Sequence, residues 1–192
     1  MAIYKDALLV IDIEATCWEG YSAPPGQENE IIEIGVTVLD LATLELSPAV
    51  SLLIPPTASE VSPFCTQLTG LTHDQLQREG ITFEAACHRL EKEFNARNRL
   101  WASWGGWDMR IMRAQCKARG VRYPFSDKHA NLKRLYADVV GQRVGLKTAL
   151  EARQLLLEGV HHRGSDDAYN AGRVLVSLIE QHSLAVLRRY GI

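Results

Sequence analysis

Asp12 and Glu14, two residues apart on an apolar run, Asp108 behind a second short run, and His162 five positions before Asp167 are the residues whose types and spacing could do chemistry. Four carboxylates and one imidazole of this kind can hold two magnesium ions and deprotonate a water, the minimum equipment for cutting a phosphodiester by two-metal chemistry. On a strand, Asp12 and Glu14 point to the same face. Two carboxylates side by side repel and resist burial unless a cation sits between them. Alone, neither this pair nor Asp108 is distinctive, because a D-x-E recurs by chance and an acid at a helix start complements the macrodipole. The segment His162-Arg163-Gly164-Ser165-Asp166-Asp167 is more specific. Ser165 and Asp166 have ordinary work at a helix N-terminus. That leaves unexplained a histidine in the loop just before, within reach of a water on any metal that Asp167 ligates. A histidine suits a general base near neutral pH, its unperturbed pKa being about 6.5, and His161 competes for the role. Carboxylate-rich, with no cysteine and few histidines, the set is a poor zinc site and suits Mg²⁺ or Mn²⁺.

The elements that must position these residues follow from periodicity. Ala7 to Ile13 reads as a strand, Tyr21 to Asn29 as a loop, Ile31 to Leu39 as a second strand and Leu44 to Ile54 as a third, with Asp40 to Thr43 as the hairpin link. After the Leu68-Thr69-Gly70 turn, a short helix starts at Thr72 or Asp74 and runs to about Arg78, and a longer one follows Thr82. Leu100 to Ser103 is a brief strand, and Trp107 to Arg119 is helical with Gly120 as its stop. Lys128 to Val139 and Leu146 to Leu157 read as helices, and the last helix begins with Ser165 as its N-cap and ends near His182, with a short helical tail. This order predicts an α/β domain with a mixed sheet, whose strand ends and helix starts can bring the carboxylates into one crevice.

At 192 residues, 46% apolar and 23% charged, the chain fits one ordinary globular domain over residues 1–192. No apolar stretch approaches the roughly 20 residues that cross a bilayer. The run from Ala7 to Ile13 lacks the features of a signal peptide, so a cytoplasmic location and no membrane partner are expected. Cys17, Cys65, Cys87 and Cys116 form no CxxC pair and read as free thiols, Cys87 and Cys116 on apolar helix faces. The net charge of −2 hides an asymmetry: residues 1–109 carry six Lys/Arg against sixteen Asp/Glu, whereas Arg110 to Lys147 carry ten against Asp127 and Asp138. Such a basic block beside an acidic half suits a polyanion-cutting enzyme, and equally a pair of solvated helix faces.

The segments LLVIDIEATCWEG, NEIIEIGVTVLD, SPFCTQLTGLTHDQL, ASWGGWDMRIM and HHRGSDDAYNAGRV resemble, in order, successive motifs of the DEDDh 3′→5′ exonucleases, the superfamily of RNase T, oligoribonuclease and the proofreading subunit of replicative polymerase. D-x-E-A-T-C, S-x-F-C-x-x-L-T-G-L and G-x-W-D-M look most like the branch of the 3′ histone-mRNA exonuclease and its RNA-interference-regulating relatives. The resemblance runs from about residue 7 to residue 180. It implies a ribonuclease H-like α/β fold, a mixed central sheet of five to six strands flanked by helices. It also implies roles. Asp12 would bridge two Mg²⁺ or Mn²⁺ ions, Glu14 and Asp167 would complete the site of the ion that activates water, Asp108 would hold the second ion through water, and His162 would be the general base. Products would be nucleoside 5′-monophosphates.

The resemblance further implies that Leu68, Thr69 and Gly70 line the site of the terminal sugar, where Thr69 and the backbone around Ala15 and Thr16 could read a free 3′-hydroxyl; Leu68 reads equally as core. Trp107 is a candidate to stack on a base or an ordinary core tryptophan, and Trp18 is a weaker candidate. Lys133 and Arg134 are phosphate contacts or a solvated helix face. The histone-mRNA relatives carry a nucleic-acid-binding module before the nuclease core, so stem-loop recognition is not expected to carry over. The expected partner is single-stranded nucleic acid with a free 3′ end, RNA favoured and DNA left open. Alternatives are a nuclease restricted to short oligonucleotides and a non-catalytic nucleic-acid-binding module.

Overall fold

The apolar run that carries Asp12 and Glu14 is the central strand, β1 (Tyr4–Ala15), of a five-stranded mixed sheet; the computed structural model describes residues 3–191. On one side β1 pairs antiparallel with β2 (Ile31–Asp40), and β2 with β3 (Val50–Leu53). On the other it pairs parallel with β4 (Arg99–Ser103), and β4 with β5 (His129–Asn131). The helices are α1 (Pro63–Thr69), α2 (His73–Glu79), α3 (Phe83–Glu93), α4 (Trp107–Arg119), α5 (Leu132–Val140), α6 (Leu146–Ala152) and α7 (Gly164–His182), with a 3₁₀ tail at Leu184–Tyr190. Their starts have local causes: Ser62, Thr72 and Thr82 side chains accept from the amides of Cys65, Gln75 and Ala85. Gly120 closes α4 with φ 64°.

Alternation along β1 divides the core. Leu8 and Val10 join a cluster built with α5, α6 and α7, whereas Leu9, Ile11 and Ile13 join one built with α3 and α4. Asp12 and Glu14 share the parity of Leu8 and Val10, so they face α7. The register puts Asp12 opposite Gly35 and Glu14 opposite Glu33. A Cβ on Gly35 would lie 1.9 Å from the Gly164 carbonyl carbon, so a glycine there is what lets the start of α7 rest against the sheet.

Several boundaries differ from the sequence reading. The third strand is only Val50–Leu53; Leu44 has φ 61°, outside strand geometry, and Leu46 makes a single bridge to Leu39. The Leu68-Thr69-Gly70 turn is the end of α1, signalled by Ser62 as cap and Pro63 at the first helical position. The segment from Lys128 is not helical at its start: His129–Asn131 pair with β4, and Asn131 then caps α5 through the Arg134 amide. Helix α6 stops at Ala152, five residues short of Leu157. Ser165 is not the N-cap of α7, because the helix begins at Gly164 with Arg163 in that position. Among the described residues five strands are present, at the lower end of the expectation. Among the described residues no helix is long and apolar enough to cross a membrane.

Candidate active site

Carboxylate oxygens of Asp12, Glu14 and Asp167 lie within 4.8 Å of one another. Two come from the end of β1 and one from the first turn of α7. The docking of that turn is fixed by Glu33, which sequence reasoning missed. Its fully buried carboxylate accepts hydrogen bonds from Ser51 Oγ (2.6 Å), the Gly164 amide (2.9 Å) and Arg163 Nε (3.2 Å). Glu33 therefore supplies the capping that Ser165 was expected to give. The signal was legible in principle: a lone acid inside IIEIGVTV, a run otherwise buried on both faces.

Asp108 stands outside that 4.8 Å group. It is buried in the first turn of α4 and accepts a hydrogen bond from the Ile13 amide (3.1 Å), which ties it to β1 between the two strand acids. A group held aside in this way is suited to a second ion.

The two histidines separate. His161 Nδ1 is bound to the Asp167 carboxylate at 2.8 Å. His162 has its backbone amide on the same carboxylate (2.9 Å), while its ring Nδ1 stands 4.0 Å from Glu14 Oε1 and is 42% exposed. His162 adopts φ 66°, and this left-handed turn brings the two rings into a stack with centroids 4.0 Å apart. Among the described residues the His162 ring has neither nitrogen in a hydrogen bond, whereas His161 has its Nδ1 committed to Asp167.

Electrostatics reflect the crowding. Burial, then the charges of Asp108, Glu14, Asp167 and Glu33, push the Asp12 carboxyl well above its usual range. Burial and the Asp167 and Glu33 charges push Glu14 up to about 9. Burial raises Asp108 against the hydrogen bonds that hold it down. Burial and the neighbouring His161 lower the His162 pKa below 6.5, so its ring is neutral at pH 7. Arg163, whose charge opposes the rise at Glu14, is already paired with Glu33. An oxygen donor set with uncompensated negative charge fits Mg²⁺ or Mn²⁺.

The expected substrate residues fare unevenly. Trp107 is 41% exposed beside Asp108, whereas Trp18 is buried. Leu68 is half-buried and belongs to none of the three apolar clusters. Thr69, Thr16 and Ala15 also make hydrogen bonds within the fold. Thr69 is fully buried and its hydroxyl donates to the Cys65 carbonyl, holding the turn of α1. The Thr16 hydroxyl and amide donate to the Glu28 and Glu30 carbonyls, and the Ala15 carbonyl accepts from Cys65 Sγ. Lys133 is half-buried and Arg134 exposed in the first turn of α5. All four cysteines are free thiols, with Cys87 and Cys116 in the core.

A sheet and a carboxylate set of this kind define a nuclease architecture, and the chain matches the RNase T exonuclease family over residues 9–175 and belongs to that family. More specifically, it is 32% identical over 189 residues to human 3′-5′ exoribonuclease 1, a match covering 92% of this chain and 53% of that protein. It thus spans about half the length of that relative. It superposes on the nuclease domain of 3′hExo, a DEDDh family member bound to rAMP, with a TM-score of 0.84 and 29% identity, covering 95% of this chain and 96% of that one. The TM-score is 0.83, at 29% identity over 95% of this chain and 85% of the other, for a structure of 3′-end specific recognition of histone mRNA stem-loop by 3′-exonuclease. The resemblance read from the sequence is borne out for family, branch and fold.

Proposed function

We propose that this chain is a metal-dependent 3′→5′ exonuclease that releases nucleoside 5′-monophosphates one at a time from a free 3′ end, with single-stranded RNA or a 3′ overhang as the favoured substrate. The observation that carries this reading is the convergence of Asp12, Glu14 and Asp167 oxygens within 4.8 Å. When bound, two Mg²⁺ or Mn²⁺ ions supply charge stabilisation for the attacking and leaving oxygens of an in-line displacement. Asp12, Glu14 and Asp167 would hold one ion, and Asp12 with Asp108 the other. His162 accepts the proton of the attacking water, a role its neutral ring supports. His161, its Nδ1 turned to Asp167, takes no part.

Around the acids, Trp107 offers an exposed ring on which a terminal base stacks. Beyond it on the same helix, Arg110, Arg113 and Lys117 are exposed. At about 1.5 Å of rise per residue they extend some 13 Å from Asp108, enough to follow the backbone of a strand longer than a dinucleotide. Lys133 lies two residues past Asn131, whose side-chain nitrogen is 3.7 Å from the Cβ position of Gly106, so that turn borders the start of α4 and suits a phosphate contact. The preference for RNA is supported by the relatives, one bound to rAMP and one to a histone mRNA stem-loop. We further propose one nuclease domain for the chain, residues 1, 2 and 192 lying outside those described. Its four free thiols suit a reducing, cytoplasmic setting.

The test is cleavage of 5′-labelled single-stranded RNA and DNA of one sequence with Mg²⁺, Mn²⁺ or EDTA, beside His162→Ala. A one-nucleotide ladder that needs metal and His162, faster on RNA, is expected. No ladder with either metal would move the reading to a non-catalytic nucleic-acid-binding module.

A further inference from the structure

Asp167 belongs to two groupings of possible ligands. With Asp12 and Glu14 it forms the oxygen cluster described above. With His161 and His162 it forms another, in which one nitrogen from each ring and one carboxylate oxygen also lie within 4.8 Å of one another. Backbone geometry creates this second group. Consecutive side chains in extended chain point to opposite sides. The left-handed φ of 66° at His162, held by its amide on Asp167 Oδ2, instead turns both rings to one side, stacked with an interplanar angle of 24°. Both histidines are partly exposed, 34% and 42%, so an ion reaches them from solvent.

The chemistry of the two groups differs. Three carboxylates are a hard oxygen set, whereas two imidazoles and a carboxylate with an open position are the donors of a zinc-type ion. Zinc binds nitrogen at about 2.0–2.1 Å and carboxylate oxygen at about 2.0–2.2 Å, which places two tetrahedral ligands about 3.3 Å apart. His161 Nδ1 and Asp167 Oδ2 are already 2.8 Å apart, so a small opening admits the ion.

We infer that His161, His162 and Asp167 form a site for an imidazole-preferring transition ion, Zn²⁺ foremost, and that filling it arrests the enzyme by withdrawing His162 and Asp167 from their catalytic positions. The arrest rests on the exonuclease reading; the binding does not.

Calorimetric titration of the metal-free full chain with Zn²⁺ in saturating Mg²⁺ tests the binding, and cleavage under the same conditions tests the arrest. His161→Phe keeps a ring on His162 but removes a ligand, and His161→Asn serves as a second variant should that one misfold. Even outer-shell partners of a metal ligand are worth about 10–100-fold in affinity, so loss of a ligand should weaken Zn²⁺ by at least about tenfold. The expected result is Zn²⁺ binding that survives Asp12→Asn, weakens in both His161 variants, and inhibits wild type at concentrations that leave those variants cleaving. Absence of Zn²⁺ binding, or binding abolished by Asp12→Asn and untouched by the His161 variants, would overturn the site. Binding that depends on His161 without any RNA cleavage in Mg²⁺ alone would uphold the site and sink the exonuclease reading instead.

Discussion

Glu33→Ala removes the carboxylate that seats α7, and its cost follows from the contacts. The side chain has no exposure, and alanine strands four donors: Ser51 Oγ, the Gly164 amide, Arg163 Nε and, at a longer 3.4 Å, the Ser165 amide. Each buried donor left unpaired costs about 1–3 kcal/mol, and removing one partner of a buried ion pair costs about 3–5 kcal/mol. Two effects moderate the sum. Arg163 is 26% exposed and can turn to water, and the substitution relieves one charge that raises the Glu14 pKa. We expect a net loss of about 3 kcal/mol, towards the lower end of those ranges. Glu33→Gln, which keeps an acceptor for the Gly164 amide, should lose about 1 kcal/mol. Asp167 rides on the turn that Glu33 anchors, and a displacement of about 1 Å at a catalytic group costs about 10²-fold in rate. Urea unfolding of metal-free protein followed by tryptophan fluorescence, with Mg²⁺-dependent cleavage alongside, measures both. A Glu33→Ala protein within about 0.5 kcal/mol of wild type and fully active would refute the anchoring argument.

Gly35→Ala places a methyl on the Gly164 carbonyl, so α7 must shift; melting temperature and cleavage should fall together, while Gly145→Ala, with open space around its Cβ position and an ordinary φ of −70°, should leave cleavage unchanged. Metal binding should release protons. The folded, metal-free protein holds Glu14 protonated up to about pH 9, whereas the unfolded chain ionises near its ordinary 4.5. Its contribution to stability is therefore fully present below the unfolded value and lost as pH rises through the folded one. Between those limits Mg²⁺ affinity should rise about tenfold per pH unit for each proton displaced, read by calorimetry in buffers of different ionisation enthalpy. Asp12 accepts no side-chain hydrogen bond among the described residues and suffers repulsion from four carboxylates, so Asp12→Asn should stabilise the metal-free protein and abolish its thermal stabilisation by Mg²⁺. Trp107→Ala should raise KM, with kcat little changed, by the equivalent of the about 1–3 kcal/mol that one stacked base contributes.

The acids were legible because their surroundings are legible: parity along an apolar strand sets Asp12 and Glu14 on one face, and a Gly-Gly turn before a helix delivers Asp108. The choice between His161 and His162 was not, since it depends on a single left-handed residue that no periodicity reports. Nor was the commitment of Thr69 and Thr16, whose hydroxyls look available in sequence and are taken up by carbonyls brought near only in the folded chain. The start of β5 was misread as helix because three residues pair only once β4 is beside them. Glu33 and Gly35 lack the signature of a site residue because they act on the helix that carries one of the ligands and not on a substrate.

The central claim is metal-dependent removal of single nucleotides from a 3′ end by the cluster of Asp12, Glu14, Asp108 and Asp167 with His162. The most direct measurement is the identity of the first product from single-stranded RNA labelled at its 3′-terminal nucleotide, for wild type and for Asp167→Asn shown to be folded by circular dichroism. The label should appear first as a nucleoside 5′-monophosphate, in Mg²⁺ or Mn²⁺ and in wild type only. Label in internal fragments or a nucleoside 3′-phosphate, or release that persists in EDTA or in Asp167→Asn, would contradict it.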